Sequence, residues 1–186
     1  MSRARKQSPE QPFPRTSVLV AGIGNTFLSD DGFGVEVIAQ LRDRELPDGV
    51  EVVDTGIRGM HLAYQLLDGY DVLVLVDAVA RGSDPGTLYV LEHDLDAPRD
   101  TGAALDAHGM DPAAVLELLD GLATAMGLTR PVGRVVVVGC EPERLEEGMG
   151  LSPAVAAAVA PAVETVIELV TQMLATARPT AEGVRG

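Results

Sequence analysis

Short apolar runs alternate with longer amphipathic stretches along most of the chain. The runs predict strands at 18–21, 51–53, 72–76, 87–92 and 134–139. The stretches between them repeat apolar residues at helical spacing and predict helices at 33–44, 60–67, 112–125 and 153–174. Because runs such as 72–76 are apolar without interruption, their strands should be buried on both faces. The alternation predicts a single three-layer α/β/α domain with a mostly parallel five-stranded sheet.

The strand predicted at 87–92 should run antiparallel to its neighbours. It follows the preceding strand after only about ten residues, which include Pro85 and Gly86. A parallel crossover needs roughly a dozen residues or more, so this connection is too short for one.

The last predicted helix has a recognisable N-terminal signal and a proline in its interior. Ser152 and Pro153 suit the N-cap and the first helical position. Pro161 should kink or restart the helix, because proline lacks the backbone N–H of the helical ladder. The domain is predicted to span 17–175, between a disordered basic tail at 1–16 and a flexible tail at 176–186.

Composition narrows the classes of function. The 186 residues include 14 Lys and Arg against 28 Asp and Glu, and this net charge of −14 argues against a nucleic-acid partner. No unbroken apolar run reaches the ~18 residues of a membrane span. A single cysteine, Cys140, excludes a disulfide framework and is expected to be a buried small apolar residue. We expect a cytoplasmic protein, with a monomer as the simplest state and no membrane partner.

Acidic residues follow three of the predicted strands. Asp31 lies in the segment after the first strand, Asp54 ends the second and Asp77 ends the third. Each alone is compatible with an ordinary turn or helix cap. The carboxyl ends of parallel strands meet at one edge, where ligands bind, and a divalent cation would relieve the repulsion between converging carboxylates.

One histidine is a candidate partner for these acids. His108 lies in a loop that opens a helix, and aspartates with one imidazole can bind nickel, zinc or manganese. No spacing motif forces His108 into the cluster, so metal binding and an ordinary loop position remain equal alternatives from the residues alone.

Two other classes of site match less well. Gly22 and Gly24 after the first strand suggest a dinucleotide turn, but Phe27 occupies the third glycine position and acidic residues lie where a pyrophosphate would bind. Asp54-Thr55-Gly56 matches the tripeptide of pepsin-like proteases, which need two such carboxylates, whereas this chain has one copy.

Over residues 17–175 the chain resembles the hydrogenase maturation proteases, which process the large subunit of nickel–iron hydrogenases. Several separate motifs in register make the resemblance specific. The matching residues are Gly22-Ile23-Gly24-Asn25, Asp30-Asp31-Gly32-Phe33-Gly34, Asp54-Thr55-Gly56 with Gly59, Val76-Asp77-Ala78, Pro85-Gly86-Thr87, His108-Gly109, Val138-Gly139-Cys140-Glu141-Pro142 and Leu151-Ser152-Pro153.

The resemblance implies roles for individual residues. Asp31, Asp77 and His108 would bind nickel, and Asp54 matches a further acid that the family needs for processing. Asp31, Asp54 and Asp77 are thus the catalytic candidates. Gly24 and Asn25 would contact the substrate. The residue after Asp54 is often Gly in the family, and here it is Thr.

The resemblance also implies an activity. The substrate would be a nickel-loaded precursor of a hydrogenase large subunit, from which a short C-terminal extension is removed. Nickel would come with the substrate, and no organic cofactor is implied. The family is grouped with aspartic-type peptidases, and one hypothesis is that nickel polarises the scissile carbonyl while Asp54 or Asp77 activates water. The alternative is a non-catalytic metal-sensing module that binds the same precursor.

Overall fold

The protein is described by a computed structural model. It covers residues 16–93, 95, 112–128 and 131–177. Most of both predicted tails lies outside these described residues, and so does His108.

The described residues form one five-stranded sheet. Its strands are β1 (Val18–Ile23), β2 (Val50–Gly56), β3 (Tyr70–Ala78), β4 (Leu88–His93) and β5 (Val132–Cys140). The strand order is β2-β1-β3-β5-β4, and every neighbouring pair is parallel except β4 with β5. The sheet confirms the predicted fold class, and the short connection before β4 does give an antiparallel strand.

Four helices cover the two faces of the sheet in the described part of the chain. They are α1 (Phe33–Leu41), α2 (Gly59–Leu66), α3 (Pro112–Met126) and α4 (Pro153–Ala177). Apolar side chains of α1 and α4 form one core cluster with the sheet, and those of α2 and α3 form the other. Strands buried between two such layers are apolar on both faces over most of their length, which explains the uninterrupted runs in the sequence.

Helix α4 shows how packing overrides a local preference. It continues through Pro161 to Ala177, so the predicted restart at Pro161 is wrong. Val159, Val163 and Val166 on either side of the proline are at most 2% exposed in the core cluster. Their burial outweighs the lost backbone hydrogen bond. By length and composition alone α4 could span a membrane, but its apolar face packs on the sheet as that of a core helix.

Candidate functional site

The segment between β1 and α1 brings Asp31 close to the carboxyl ends of two strands. Gly24 has φ of +134°, and a Cβ there would lie 1.8 Å from the carbonyl oxygen of Asp31. At the start of α1, a Cβ on Gly34 would lie 2.2 Å from the Val76 oxygen and 2.3 Å from the Ile23 oxygen. Only glycine permits these approaches, so both glycines fix how closely the loop lies over the ends of β1 and β3.

Asp31 is partly buried at this edge. The backbone N–H of Asn25 donates to its Oδ2 at 2.6 Å. Burial raises the pKa of Asp31, and the bond from Asn25 opposes that rise without cancelling it. Within the described residues the carboxylate accepts a hydrogen bond from Asn25 alone, and this partly dehydrated setting favours binding of a cation or a proton.

Asp54 is exposed near the end of β2. Its Oδ1 accepts a hydrogen bond of 3.0 Å from the backbone N–H of Gly56. It lies two residues after Val52, which packs against the α1/α4 cluster, so strand alternation places Asp54 on that face of the sheet. An exposed carboxylate in this position is accessible to water and to a bound polypeptide.

Asp77 is buried, with 7% of its surface exposed, near the end of β3. The backbone N–H of Ala78 donates to its Oδ1 at 2.8 Å. It lies two residues after Leu75, a member of the α2/α3 cluster, so alternation places Asp77 on the opposite face from Asp54.

The strand register puts Asp54 and Asp77 on either side of the end of β1. Gly22 is paired with Asp54 on β2 and with Val76 on β3. A ligand that reaches both carboxylates therefore has to lie over the edge of the sheet. This is the crevice where ligands bind in open α/β sheets.

The described residues contain no group of three or more histidine, cysteine or acidic side chains able to hold a metal ion by themselves. The predicted set of Asp31, Asp77 and His108 is incomplete in that part of the chain because His108 lies outside it. The metal site stays a prediction. The described histidines, His61 and His93, are both exposed.

Asp30 has a role that the sequence analysis did not assign. Its side chain is completely buried and accepts backbone hydrogen bonds from Glu143 (2.9 Å), Arg144 (3.0 Å) and Ser152 (2.6 Å). Burial by itself would raise the pKa of Asp30, but these three N–H donors outweigh it and hold the pKa below its usual value. Asp30 therefore fixes the loop after β5 against the loop that carries Asp31.

Ser152 occupies the N-cap position directly before α4, as predicted. Among the described residues its buried Oγ makes no hydrogen bond of good geometry, so the side chain itself does not cap the helix. The Ser152 hydroxyl lies near the Asp30 carboxylate and is the smallest of the causes that lower the pKa of Asp30. The Ser152 backbone is used instead: its N–H donates to Asp30 and its carbonyl accepts from Ala156.

Glu141 is a second buried carboxylate that the sequence did not single out. It accepts hydrogen bonds from the Tyr89 hydroxyl (2.5 Å) and from the backbone N–H groups of Arg81 (2.8 Å) and Gly82 (3.1 Å). The Tyr89 hydroxyl is the main cause that holds the pKa of Glu141 below its usual value. Glu141 thereby ties the end of β5 to the connection between β3 and β4.

Cys140 is buried in the core, as predicted. Burial, with smaller contributions from nearby carboxylates, raises the pKa of its thiol to about 11. A thiol that stays protonated near neutral pH is a poor nucleophile, so Cys140 is a packing residue.

Comparison with known proteins gives consistent matches. A family model described as "Hydrogenase maturation protease" matches residues 35–169, a range that includes Asp54, Asp77 and His108 but begins after Asp31. The chain is similar to the hydrogenase 2 maturation protease of Escherichia coli K12, with 35% identity over 146 residues, which are 75% of this chain and 82% of that one. It is also 35% identical to the hydrogenase expression/formation protein HupD of Rhizobium leguminosarum, over 76% of this chain and 67% of that protein.

Solved structures show the same similarity. The hydrogenase maturating endopeptidase HybD from E. coli superposes with a TM-score of 0.65 and 32% identity, over 85% of this chain and 94% of that chain. The hydrogenase maturation protease HycI from Thermococcus kodakarensis gives a TM-score of 0.65 at 22% identity, over 86% and 95% of the two chains, and supports the fold alone.

Proposed function

The chain belongs to the hydrogenase maturation proteases and is a peptidase, and from this premise we propose that it removes a C-terminal extension from the nickel-loaded precursor of a nickel–iron hydrogenase large subunit. The observation that carries the proposal is the set of acids at one edge of the sheet. Asp31 is half-buried and held by Asn25, while Asp54 and Asp77 flank the end of β1.

In this proposal nickel is part of the substrate and is recognised by the enzyme. Asp31, Asp77 and His108 would complete its coordination when the precursor binds. Carboxylate oxygens and an imidazole nitrogen are suitable ligands for nickel. A dehydrated carboxylate such as Asp31 gains more from a cation than a solvated one does, because water screens the charge less. A precursor without nickel would leave these like charges uncompensated, so it should bind poorly.

Asp54 is our candidate for the general base. It is exposed, with Oδ1 bound to Gly56, whereas Asp77 is buried and suits a ligand role. The Asp54 carboxylate would take a proton from water as the oxygen adds to the scissile carbonyl carbon. The same proton would pass to the leaving nitrogen as the C–N bond breaks. Nickel would polarise the carbonyl oxygen during this step.

A processing assay on nickel-loaded precursor tests the proposal. Asp31→Asn, Asp77→Asn and His108→Ala should each lower the rate of peptide release by about 100-fold or more, because each removes a nickel ligand. Asp71→Asn is the matched control, since it makes the same chemical change at the opposite edge of the sheet and should leave the rate unchanged. Peptide release is measured by mass spectrometry of the precursor.

The outcomes separate the two functions considered. Release of the peptide only from the nickel-loaded precursor supports the protease with a metal check. Full cleavage by all three variants would contradict the assignment of the site. An intact precursor in a tight complex with the wild-type protein would favour the binding module. The cytoplasmic location and the monomeric state stay predictions.

A further inference from the structure

Large apolar side chains are exposed around the candidate site. Phe27 follows β1 and is 66% exposed, while Ile57 and Met60 follow β2 and are 64% and 56% exposed. Met149 follows β5 and is 79% exposed. We refer to these four residues as the apolar rim. All of them lie in segments that follow the carboxyl ends of strands, on the same edge as the candidate acids.

The backbone beneath the rim is firmly held. The carbonyl of Phe27 accepts a hydrogen bond of 2.9 Å from Gly148, whose own carbonyl accepts one of 2.9 Å from Ser29. Asp30 binds the Glu143 and Arg144 N–H groups from the same side. Phe27 and Met149 are therefore presented on ordered segments, and little conformational entropy would be lost when a partner covers them.

The rim is continuous with the acids. The N–H of Phe27 donates to Asn25 Oδ1 at 3.0 Å, and the N–H of Asn25 donates to Asp31. On the other side, Ile57 directly follows Gly56, whose N–H donates to Asp54. A polypeptide that reaches Asp31 and Asp54 therefore passes beside Phe27 and Ile57.

We propose that the apolar rim is the docking surface for the hydrogenase precursor, and that it binds large apolar side chains that flank the cleavage site. This inference rests on the proposed function and adds the means by which the substrate is held. Exposed apolar side chains that are grouped at one edge are typical of protein-binding sites, whereas single apolar residues are common on any surface.

Charge disfavours a second copy of this chain as the occupant of the rim. Beside Met149 the loop after β5 exposes Glu143, Glu146 and Glu147 against one basic residue, Arg144. A partner segment with basic residues beside its apolar ones would be attracted to this loop. A second copy also carries a net charge of −14 and would be repelled.

The decisive experiment compares two double variants of the full chain. Phe27→Ser with Met149→Ser removes two members of the rim. Met126→Ser with Leu128→Ser removes two other exposed apolar residues, which are 61% and 42% exposed at the end of α3 and just after it, at the opposite edge of the sheet. Binding is measured by titrating purified nickel-loaded precursor over the immobilised protein, and processing is measured by mass spectrometry. Circular dichroism and urea unfolding check that both variants fold like the wild type.

We expect the rim variant to raise Kd and KM by about tenfold or more, because anchors near the centre of an interface carry much of its affinity. Its kcat should stay within about twofold of wild type, since no candidate catalytic group has been changed. The control variant should match wild type in Kd, KM and kcat.

Several results would overturn the proposal. These are a rim variant that binds as wild type does, a control variant that weakens binding equally, and a wild-type protein that binds no precursor. Self-association of the wild type that the rim variant abolishes would assign the rim to a second copy instead. If the wild type binds the precursor without cleaving it, the proposed function fails, and the two Kd values still decide the role of the rim.

Discussion

The two edges of the sheet differ in how their polar groups are used. The edge at the start of the strands has an open cavity of about 420 Å³, lined in part by Ser17, Tyr70 and Asp71. There the exposed Asp71 carboxylate accepts hydrogen bonds from the Ser17 N–H and hydroxyl. At the other edge the acids Asp30, Asp77 and Glu141 are buried. Buried acids at functional sites are common, so burial of charge is the feature that marks this edge as the candidate site.

Backbone strain is also found at the edge of the sheet that carries the candidate acids. Ser29 has φ of +52°, the only positive value at a described residue other than glycine. It lies beside Asp30, and its hydroxyl donates to the Glu146 carbonyl at 3.1 Å. Such a conformation costs on the order of 1–2 kcal/mol and persists where the surrounding contacts enforce it. The loops at the edge that carries the candidate acids therefore hold one arrangement despite this cost.

The adjacent residues Asp30 and Asp31 differ in the same way, in how many hydrogen bonds their carboxylates accept from the protein. Three backbone donors surround Asp30 and lower its pKa, whereas Asp31 has one and its pKa is raised. The Asp30 carboxylate is buried and bound to backbone groups of the protein itself. The Asp31 carboxylate remains available to a ligand.

The largest predicted effect is at Asp30. Asp30→Ala should lower the free energy of unfolding by about 3–5 kcal/mol, because it leaves three buried N–H groups without their charged acceptor. Asp71→Ala at the opposite edge should cost about 1 kcal/mol or less, since its partners there can bind water. Urea denaturation of both variants measures the difference. Equal losses of unfolding free energy in the two variants would contradict the proposed difference between the two edges.

Gly24 and Gly69 allow a second comparison between the two edges, in the stability cost of a Gly→Ala substitution. Gly24→Ala should cost about 2–3 kcal/mol, because the new Cβ would collide with the Asp31 carbonyl in addition to the strain of φ at +134°. Gly69→Ala, with φ of +88° and open space around it, should cost about 1 kcal/mol. Thermal unfolding compares them. Only the Gly24 change should also slow processing, because it displaces the loop that carries Asp31.

Acid should destabilise the protein in part through Glu141. Its pKa lies below the ordinary value of 4.5, so its contribution to stability is present above that pH and is lost as pH falls through the lowered pKa. Glu141→Gln should be less stable than wild type at pH 7, and the difference should shrink below pH 4.5. Tyr89→Phe keeps the charge but removes its main stabilising donor, and should shift acid unfolding to higher pH. Circular dichroism across this range checks both changes, and an unchanged pH profile for Glu141→Gln would contradict the prediction.

The smallest effect is expected at the start of β3. The Tyr70 hydroxyl donates to Glu51 Oε2 at 2.8 Å on an exposed surface. Tyr70→Phe should cost about 0.5–1 kcal/mol and leave precursor processing unchanged. Unfolding curves and the processing assay measure the two quantities. A marked loss of processing would show that the opposite edge also takes part in function.

Much of the fold followed from local patterns in the sequence. The apolar runs predicted every strand of the described sheet to within a few residues, and the short connection before β4 predicted its direction. Several separate motifs in register indicated the family, which the matches to known proteases confirmed. The acids at the strand ends were also recognised as candidates, because parallel strands bring their carboxyl ends to one edge. Their roles stay predictions.

The sequence by itself determined the types of element, their order and the edge where the acids gather, because periodicity and connection length act between near neighbours. Only the tertiary structure decided which acid is structural. Asp30 and Asp31 are adjacent and identical in type, and Asp30 is distinguished by a donor 122 residues away at Ser152. Likewise, Pro161 stays within α4 because the sheet buries the residues around it. Burial and hydrogen bonding between distant segments set these environments, and no local pattern encodes them.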